Sequence, residues 1–321
     1  MAYRSKPVER KGGSSVPSTL DVLSCIPEEE LWLESRHSPE TRRAYRNDIK
    51  DFVSSLGISS TADLRRIGHR AVLLWMRMLE ERGAKPSTVR RKLSALSSLF
   101  AHLVRFSVVE RNPVRDIERP RGRPRQGRTA SFSPREARRI LDAPDDVSIQ
   151  GLRDRAILSV GFQVGARRSE IVSLCVRDFH RNRGFWSLHF IRKGRRDLEV
   201  SVHPETAQRI LRYLGAAGHA SDPNAPLFLP VAASWRNPSL LRHMHPDTVD
   251  KILKKYAARI GLGRGFSAHS MRATFITTAL ENGASLEDVQ RAVGHERPDT
   301  TKLYDRRRLG PERSASFYAN Y

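Results

Sequence analysis

Apolar residues in the first half of the chain recur at helical rather than alternating spacing. Val89, Leu93, Leu96, Phe100 and Leu103 follow one another at steps of 4, 3, 4 and 3. This lays a single apolar stripe along a helix that begins after Ser87. Arg90, Arg91 and Lys92 fall largely off the stripe, on a face that solvation alone would explain and that nucleic-acid phosphates would also suit. Upstream, Ser38-Pro39-Glu40 supplies an N-cap, a proline for the first turn and an early acid, which predicts a helix through about Leu56, stopped by Gly57. A second helix is predicted from about His69 to Arg82, with Gly83 as its stop. Asn112-Pro113 is expected to break the third helix.

The pattern changes in the second half. Ser133-Pro134-Arg135-Glu136 is a capping box, and helices are predicted over about 134–142 and 151–163. Trp186-Ser187-Leu188-His189-Phe190-Ile191 then alternates, as does Leu198-Glu199-Val200-Ser201-Val202. Between them, Arg192-Lys193-Gly194-Arg195-Arg196-Asp197 reads as a turn, so the pair forms a β-hairpin with a cationic tip. From about Pro204 the chain reads as mainly helical, and no internal repeat is visible. The predicted fold is mainly α: an N-terminal helical bundle, then a mixed α/β domain of helices with a small antiparallel sheet. The expected boundaries are a flexible tail at 1–26, a helical domain at 27–118, a linker at 119–131, a second domain at 132–310 and a tail at 311–321.

Charge adds a partner to this picture. Among 321 residues, 57 Lys+Arg face 35 Asp+Glu, a net charge of +22, while 39% of residues are hydrophobic. That apolar content suits packed cores and excludes a wholly disordered basic protein. The excess favours a polyanion, and a nucleic-acid backbone fits better than a membrane, because neither an anchor nor a basic amphipathic helix is evident. Residues 1–127 hold 25 basic and 15 acidic side chains, and the rest hold 32 and 20. The linker carries Arg119, Arg121, Arg123, Arg125 and Arg128 among prolines and glycines, which suits a strap across a phosphate backbone. Two basic modules joined by a basic strap describe a clamp for double-stranded DNA.

Cys25 and Cys175 are the two cysteines, too few for a disulfide framework or a cysteine-ligated zinc site. The polar start is unlike a secretory signal, and no run approaches the ~18 apolar residues of a membrane span, so a reducing cytoplasm is the expected compartment. Gly261-Leu262-Gly263-Arg264-Gly265-Phe266 lacks the third glycine of a dinucleotide loop and reads as a turn. Gly-Lys never occurs, which excludes a Walker A loop. His243-Met244-His245 has metal-ligand spacing but no third partner nearby and reads as a polar loop. At 7% aromatics, a stacking-based single-strand or RNA reader is not expected.

The last third carries stronger chemistry. His269 and Arg272 lie three apart, on one helical face. Gly294-His295 precedes Thr300-Thr301 and Tyr304, while Arg167 lies upstream in Gly165-Ala166-Arg167-Arg168-Ser169-Glu170 and Lys193 tips the hairpin. Two arginines, two histidines, a lysine and a tyrosine, with no carboxylate pair or metal cluster, suit attack of a tyrosine hydroxyl on a phosphodiester.

These boxes, in this order, resemble the tyrosine recombinases, the phage integrase and Xer-type site-specific recombinase family, over roughly residues 38–305. Leu152-Arg153-Asp154-Arg155 through Glu170 looks like the first arginine box, although Ala166 stands where leucine is common. Ala273 stands where histidine often follows the second arginine, and Asp305-Arg306-Arg307-Arg308 replaces the frequent Tyr-x-His ending. The resemblance implies a SAM-like core-binding domain before a catalytic domain. It also implies catalysis by Arg167, Lys193, His269, Arg272, His295 and Tyr304, a 3′-phosphotyrosine intermediate, a tetramer in the synaptic complex, and no metal or nucleotide cofactor. Glu170 is expected to buttress Arg167, and residues 306–321 to dock on a neighbouring protomer. Arg90, Arg91, Lys92, Arg121, Arg123, Arg125, Arg128, Arg192, Arg195 and Arg196 are the expected DNA contacts. Two other classes stay open at this point: a DNA-binding regulator that does not cut, and a type IB topoisomerase-like enzyme that relaxes without synapsis.

Overall fold

The computed structural model describes residues 27–120, 130–192, 196–230, 241–263, 265–296 and 298–305, with Arg196 described by its backbone alone. The chain divides into two compact units between Pro124 and Arg125.

The first unit comprises α1 (Glu28–Glu34), α2 (Pro39–Leu56), α3 (Thr61–Arg65), α4 (His69–Glu81) and α5 (Pro86–Arg105). Ser38 caps α2 by accepting from the Thr41 N–H at 3.3 Å, and Gly57 closes it in the left-handed region at φ 64°. The whole predicted stripe of α5 is buried against Trp32, Phe52 and Trp75. Helix α1 was not legible in advance; seven residues carry too few apolar positions to show a period. Its Trp32 is buried and stacks on Tyr45 of α2 with ring centroids 5.6 Å apart. Helix α5 ends at Arg105 rather than at Asn112-Pro113, because Ser107 adopts φ 57° and the Val108 N–H turns back to the Leu103 carbonyl at 2.9 Å. Asn112 instead donates to the Ser97 carbonyl at 2.9 Å, fastening the segment after the helix back onto it.

The second unit begins with α6 (Pro134–Asp142), whose capping box between Ser133 and Glu136 is complete, and α7 (Ile149–Gln163). Helix α7 starts two residues before the predicted 151, because the Ser148 hydroxyl accepts the Gly151 N–H at 3.0 Å. Then come α8 (Arg168–Ser173) and an antiparallel sheet of β1 (Phe179–Asn182), β2 (Phe185–Arg192) and β3 (Arg196–Ser201) in sequential order. The predicted hairpin is β2–β3, in register Leu188 with Val200 and Arg192 with Arg196. Strand β1 is the unforeseen addition, pairing Phe179 with Leu188. The remaining helices are α9 (Pro204–Ala217), α10 (Asp247–Arg259), α11 (Ala268–Glu281), α12 (Leu286–Val293) and α13 (Pro298–Lys302). Gly261 and Gly265, at φ 79° and 126°, make the turn between α10 and α11.

Helices α7 and α11 are buried nearly all round and form the centre of this unit. They approach closely at Gly161, where a Cβ would stand 2.7 Å from the Met271 sulfur. His269 and Arg272 of α11, and the Gly165–Arg167 segment that follows α7, are therefore carried by closely packed, buried helices. Among the described residues, no helix is long and apolar enough to cross a membrane.

Candidate active site

Arg167 is placed by a cap. It is the N-cap residue of α8, and its backbone N–H donates to Glu170 Oε2 at 2.8 Å while its Nη1 donates to Glu170 Oε1 at 2.6 Å. Glu170 is buried and the Arg167 side chain is 44% exposed, so the carboxylate orients a guanidinium that still faces solvent. Arg168, next in sequence, has the opposite role. Its Nη1 donates to Asp247 at 2.7 Å and Asp250 at 2.5 Å, and Asp250 also accepts the Ala268 N–H at 2.7 Å. That arginine ties α8 to α10 and to the start of α11.

Helix α11 delivers both His269 and Arg272. Arg272 is buried; its Nη1 donates to the Gly165 carbonyl and its Nη2 to the Val293 carbonyl, each at 2.6 Å. Gly165 presents that carbonyl from φ 67°, and a Cβ there would meet the Phe275 ring at 2.6 Å, so glycine is required twice over. Burial lowers Arg272 to about 10, assisted by the like charges of Arg167 and Arg192 and opposed by Glu170 and Tyr304. It keeps its charge at neutral pH.

His295 follows the end of α12, where Gly294 at φ 55° forms the left-handed cap and the His295 N–H returns to the Gln290 carbonyl at 3.1 Å. Its Nδ1 lies 2.9 Å from Oγ1 of fully buried Thr301 on α13, leaving Nε2 as the nitrogen with which the ring can meet a substrate. Burial pushes His295 down to about 3, with Arg272, Arg167, Arg192 and His269 adding to the shift, so the ring is neutral at pH 7.

Tyr304 follows α13. Its hydroxyl lies 3.0 Å from His269 Nε2, and its ring stands 6.4 Å, centroid to centroid, from both His269 and His295. The ring packs on the cluster of Ile276, Leu280, Val289 and Val293, which fixes its direction. Phenol and imidazole thus meet within one chain. Arg167, His295, Glu170 and Arg192 line an open cleft of about 840 Å³, and Arg167 also borders a second hollow of about 330 Å³ that reaches His269 and Arg272.

A buried guanidinium, an exposed one, a neutral imidazole and a tyrosine hydroxyl on a second imidazole are gathered around two hollows that share Arg167. The sequence pattern of the phage integrase family is matched by residues 131–309, and that of the phage integrase N-terminal SAM-like domain by residues 28–106. The chain belongs to the phage integrase family of tyrosine recombinases. The tyrosine recombinase XerC of Pelobacter propionicus is 31% identical to it over 280 residues, covering 85% of this recombinase and 87% of that protein. XerD of Pseudomonas aeruginosa is 30% identical over 281 residues, covering 85% and 89%. Among solved structures, XerH site-specific recombinase bound to a palindromic difH substrate superimposes with a TM-score of 0.72 at 18% identity, covering 96% of this chain and 92% of that one. A lambda integrase dimer bound to a COC' core site gives 0.66 at 14%, covering 87% and 75%. The two structures share the recombinase's fold.

Of the six residues expected to do chemistry, Arg167, His269, Arg272, His295 and Tyr304 are gathered here. Lys193 lies outside the described residues, as do Arg121, Arg123, Arg125, Arg128 and Arg195 and the side chain of Arg196. The other expected DNA contacts are partly engaged within the protein. Arg90 donates to the Pro120 carbonyl at 3.2 Å. Arg91 chelates buried Asp48, and Lys92 bonds Asp51 at 2.8 Å. Arg192 faces inward rather than outward, donating to the Val293 carbonyl at 2.6 Å. Thr301 belonged to the terminal box from the start, but only its burial against His295 reveals its use.

Proposed function

We propose that this recombinase exchanges DNA strands at a specific site by transesterification, with Tyr304 as the nucleophile. The observation that carries this reading is the 3.0 Å contact between the Tyr304 hydroxyl and His269 Nε2, beside the Arg167 and Arg272 guanidinium groups. A protonated phenol is a poor nucleophile, so attack requires its proton to leave as the bond forms. His269 Nε2 takes that proton while Tyr304 Oη bonds to phosphorus and the bond from phosphorus to the 5′-oxygen breaks. Lys193 protonates the departing oxygen, giving a 3′-phosphotyrosine and a free 5′-hydroxyl.

Negative charge grows on the non-bridging oxygens in the transition state. Arg167 and Arg272 oppose it with planar, bidentate donors, and His295 adds a hydrogen bond from a neutral ring. The covalent link preserves the energy of the phosphodiester, so a second 5′-hydroxyl reverses the step without a nucleotide. Tyr304 meets histidines of its own chain, so each protomer cleaves with its own tyrosine. Four protomers around two duplexes complete an exchange, in the cytoplasm and on the nucleoid.

The test is covalent trapping on a nicked suicide duplex built from DNA flanking the protein's own gene. The wild type should form a protein–DNA adduct and Tyr304→Phe none. A wild type that binds without an adduct would be a non-cutting regulator, and relaxation of any supercoiled plasmid without site dependence would mark a topoisomerase.

A further inference from the structure

Arg192 ends β2 at the base of the cationic hairpin tip, yet its side chain is only 10% exposed and points into the reaction centre. Its Nη1 donates to the Val293 carbonyl at 2.6 Å, the same oxygen that accepts Arg272 Nη2 at 2.6 Å. Its Nε lies 3.3 Å from Glu170 Oε1, the same oxygen that accepts Arg167 Nη1 at 2.6 Å. That Nε is buried and forms no hydrogen bond of good geometry, so the contact with Glu170 is electrostatic. One guanidinium therefore spans the two acceptors that orient the two phosphate-facing arginines.

The neighbouring backbone is shaped for it. A Cβ at Gly294 would stand 1.3 Å from Arg192 Nη1, so Arg192 in this position and any side chain at 294 exclude each other. A surface contact to DNA would need none of this. Burying a third guanidinium beside two others is unfavourable, and burial together with Arg167 lowers its affinity for a proton. An arrangement with that cost is best understood by what it holds in place.

We infer that Arg192 is a positioning residue of the reaction centre: it ties the Glu170 carboxylate to the Val293 carbonyl, so that Arg167 and Arg272 meet the scissile phosphate as one unit. The inference rests on the proposed role of those two arginines as the phosphate clamp. It assigns Arg192 no contact with the substrate.

The experiment compares adduct formation by the full chain on two nicked duplexes. One has an ordinary scissile phosphodiester; the other has a methylphosphonate there, whose neutral phosphorus centre removes the charge that the arginines neutralise. Arg192→Gln should slow the phosphodiester reaction by about 10–100-fold, the usual loss when a supporting partner of a reactive group is removed. On the methylphosphonate it should lose less than about threefold, because a clamp for a missing charge matters little. Cleavage of that second substrate also establishes that the variant is folded. Gly294→Ala, which displaces Arg192, should lose about the same factor, and should add nothing further to the phosphodiester defect of Arg192→Ala.

Arg272→Ala separates the two levels. If it loses equally on both substrates, the clamp reading itself fails. If it shows the differential while Arg192→Gln is unimpaired, or is slowed equally on both, Arg192 is not a positioning residue. Additive losses from Gly294→Ala and Arg192→Ala would overturn the inference as well.

Discussion

Replacing Thr301 with valine removes one hydroxyl and almost nothing else. Thr301 is fully buried, and its Oγ1 lies 2.9 Å from His295 Nδ1. His295 is held neutral, so its ring has one donor and one acceptor nitrogen, and the hydroxyl fixes which is which. Valine keeps the shape but leaves a buried ring nitrogen without its partner, a penalty of about 1–3 kcal/mol. Where a supporting hydrogen bond orients a functional histidine, its removal slows the reaction by about 10–100-fold. In a domain of this size the same penalty lowers Tm by about 2–12 °C. Thr301→Ser keeps the hydroxyl and forfeits one methyl, about 0.8 kcal/mol of burial, with the rate within about threefold of wild type. Single-turnover adduct formation on a nicked duplex, with thermal melts of all three proteins, reads both quantities. A Thr301→Val enzyme as fast as wild type, or a serine variant as slow as the valine one, would refute the assignment of the hydroxyl to His295.

Two further outcomes follow from charges. His295 is held down at about 3, whereas the unfolded imidazole titrates near 6.5, so between those values the unfolded chain binds a proton that the native state refuses. The associated stability is present above pH 6.5 and is lost as pH falls toward 3, by about 2 kcal/mol at pH 5. Urea melts at pH 7 and pH 5 should show that loss in the wild type and a smaller one in His295→Gln; equal losses would count against it. Arg91→Ala and Lys92→Ala should lower Tm by removing cationic partners of Asp48 and Asp51, yet leave the salt dependence of DNA binding unchanged. Each true phosphate contact removed reduces the slope of log affinity against log salt by about 0.9, so a flatter slope for Arg91→Ala would place Arg91 on DNA.

What could be foreseen depended on how one-sided each element is. Helix α5 packs on one face, so its stripe was visible, and all five of its predicted core positions are buried. Helices α7 and α11 are buried on nearly every side, which erases the period. Helix α7 nevertheless covers the predicted 151–163, with its start displaced to Ile149 by the Ser148 cap. Strand β1 has four residues and only Phe179 buried, too little alternation to read. The end of α5 was misplaced because Ser107 takes a left-handed conformation without being glycine, a choice imposed by the return of Val108 to Leu103. In the site, motif order pointed to Arg167, His269, Arg272, His295 and Tyr304, which the fold gathers together. It was silent on the carbonyls of Gly165 and Val293, because a backbone acceptor leaves no mark on residue identity.

The arginines show most clearly why composition had to be resolved by partners. An excess of +22 says only that positive charge outnumbers negative. In the fold, Arg153 is buried against Asp154, and Arg168 binds Asp247 and Asp250; carboxylates cancel both charges, which act as ties. The acceptors that hold Arg272 are carbonyls, which satisfy hydrogen bonds without neutralising the cation. Arg192 shares one of those carbonyls, and Glu170, the nearby carboxylate, bonds the exposed Arg167. Positive potential is therefore left where a phosphate can enter and removed where only packing is needed. A phosphodiester in the cleft would complete a charge balance that the protein itself leaves open.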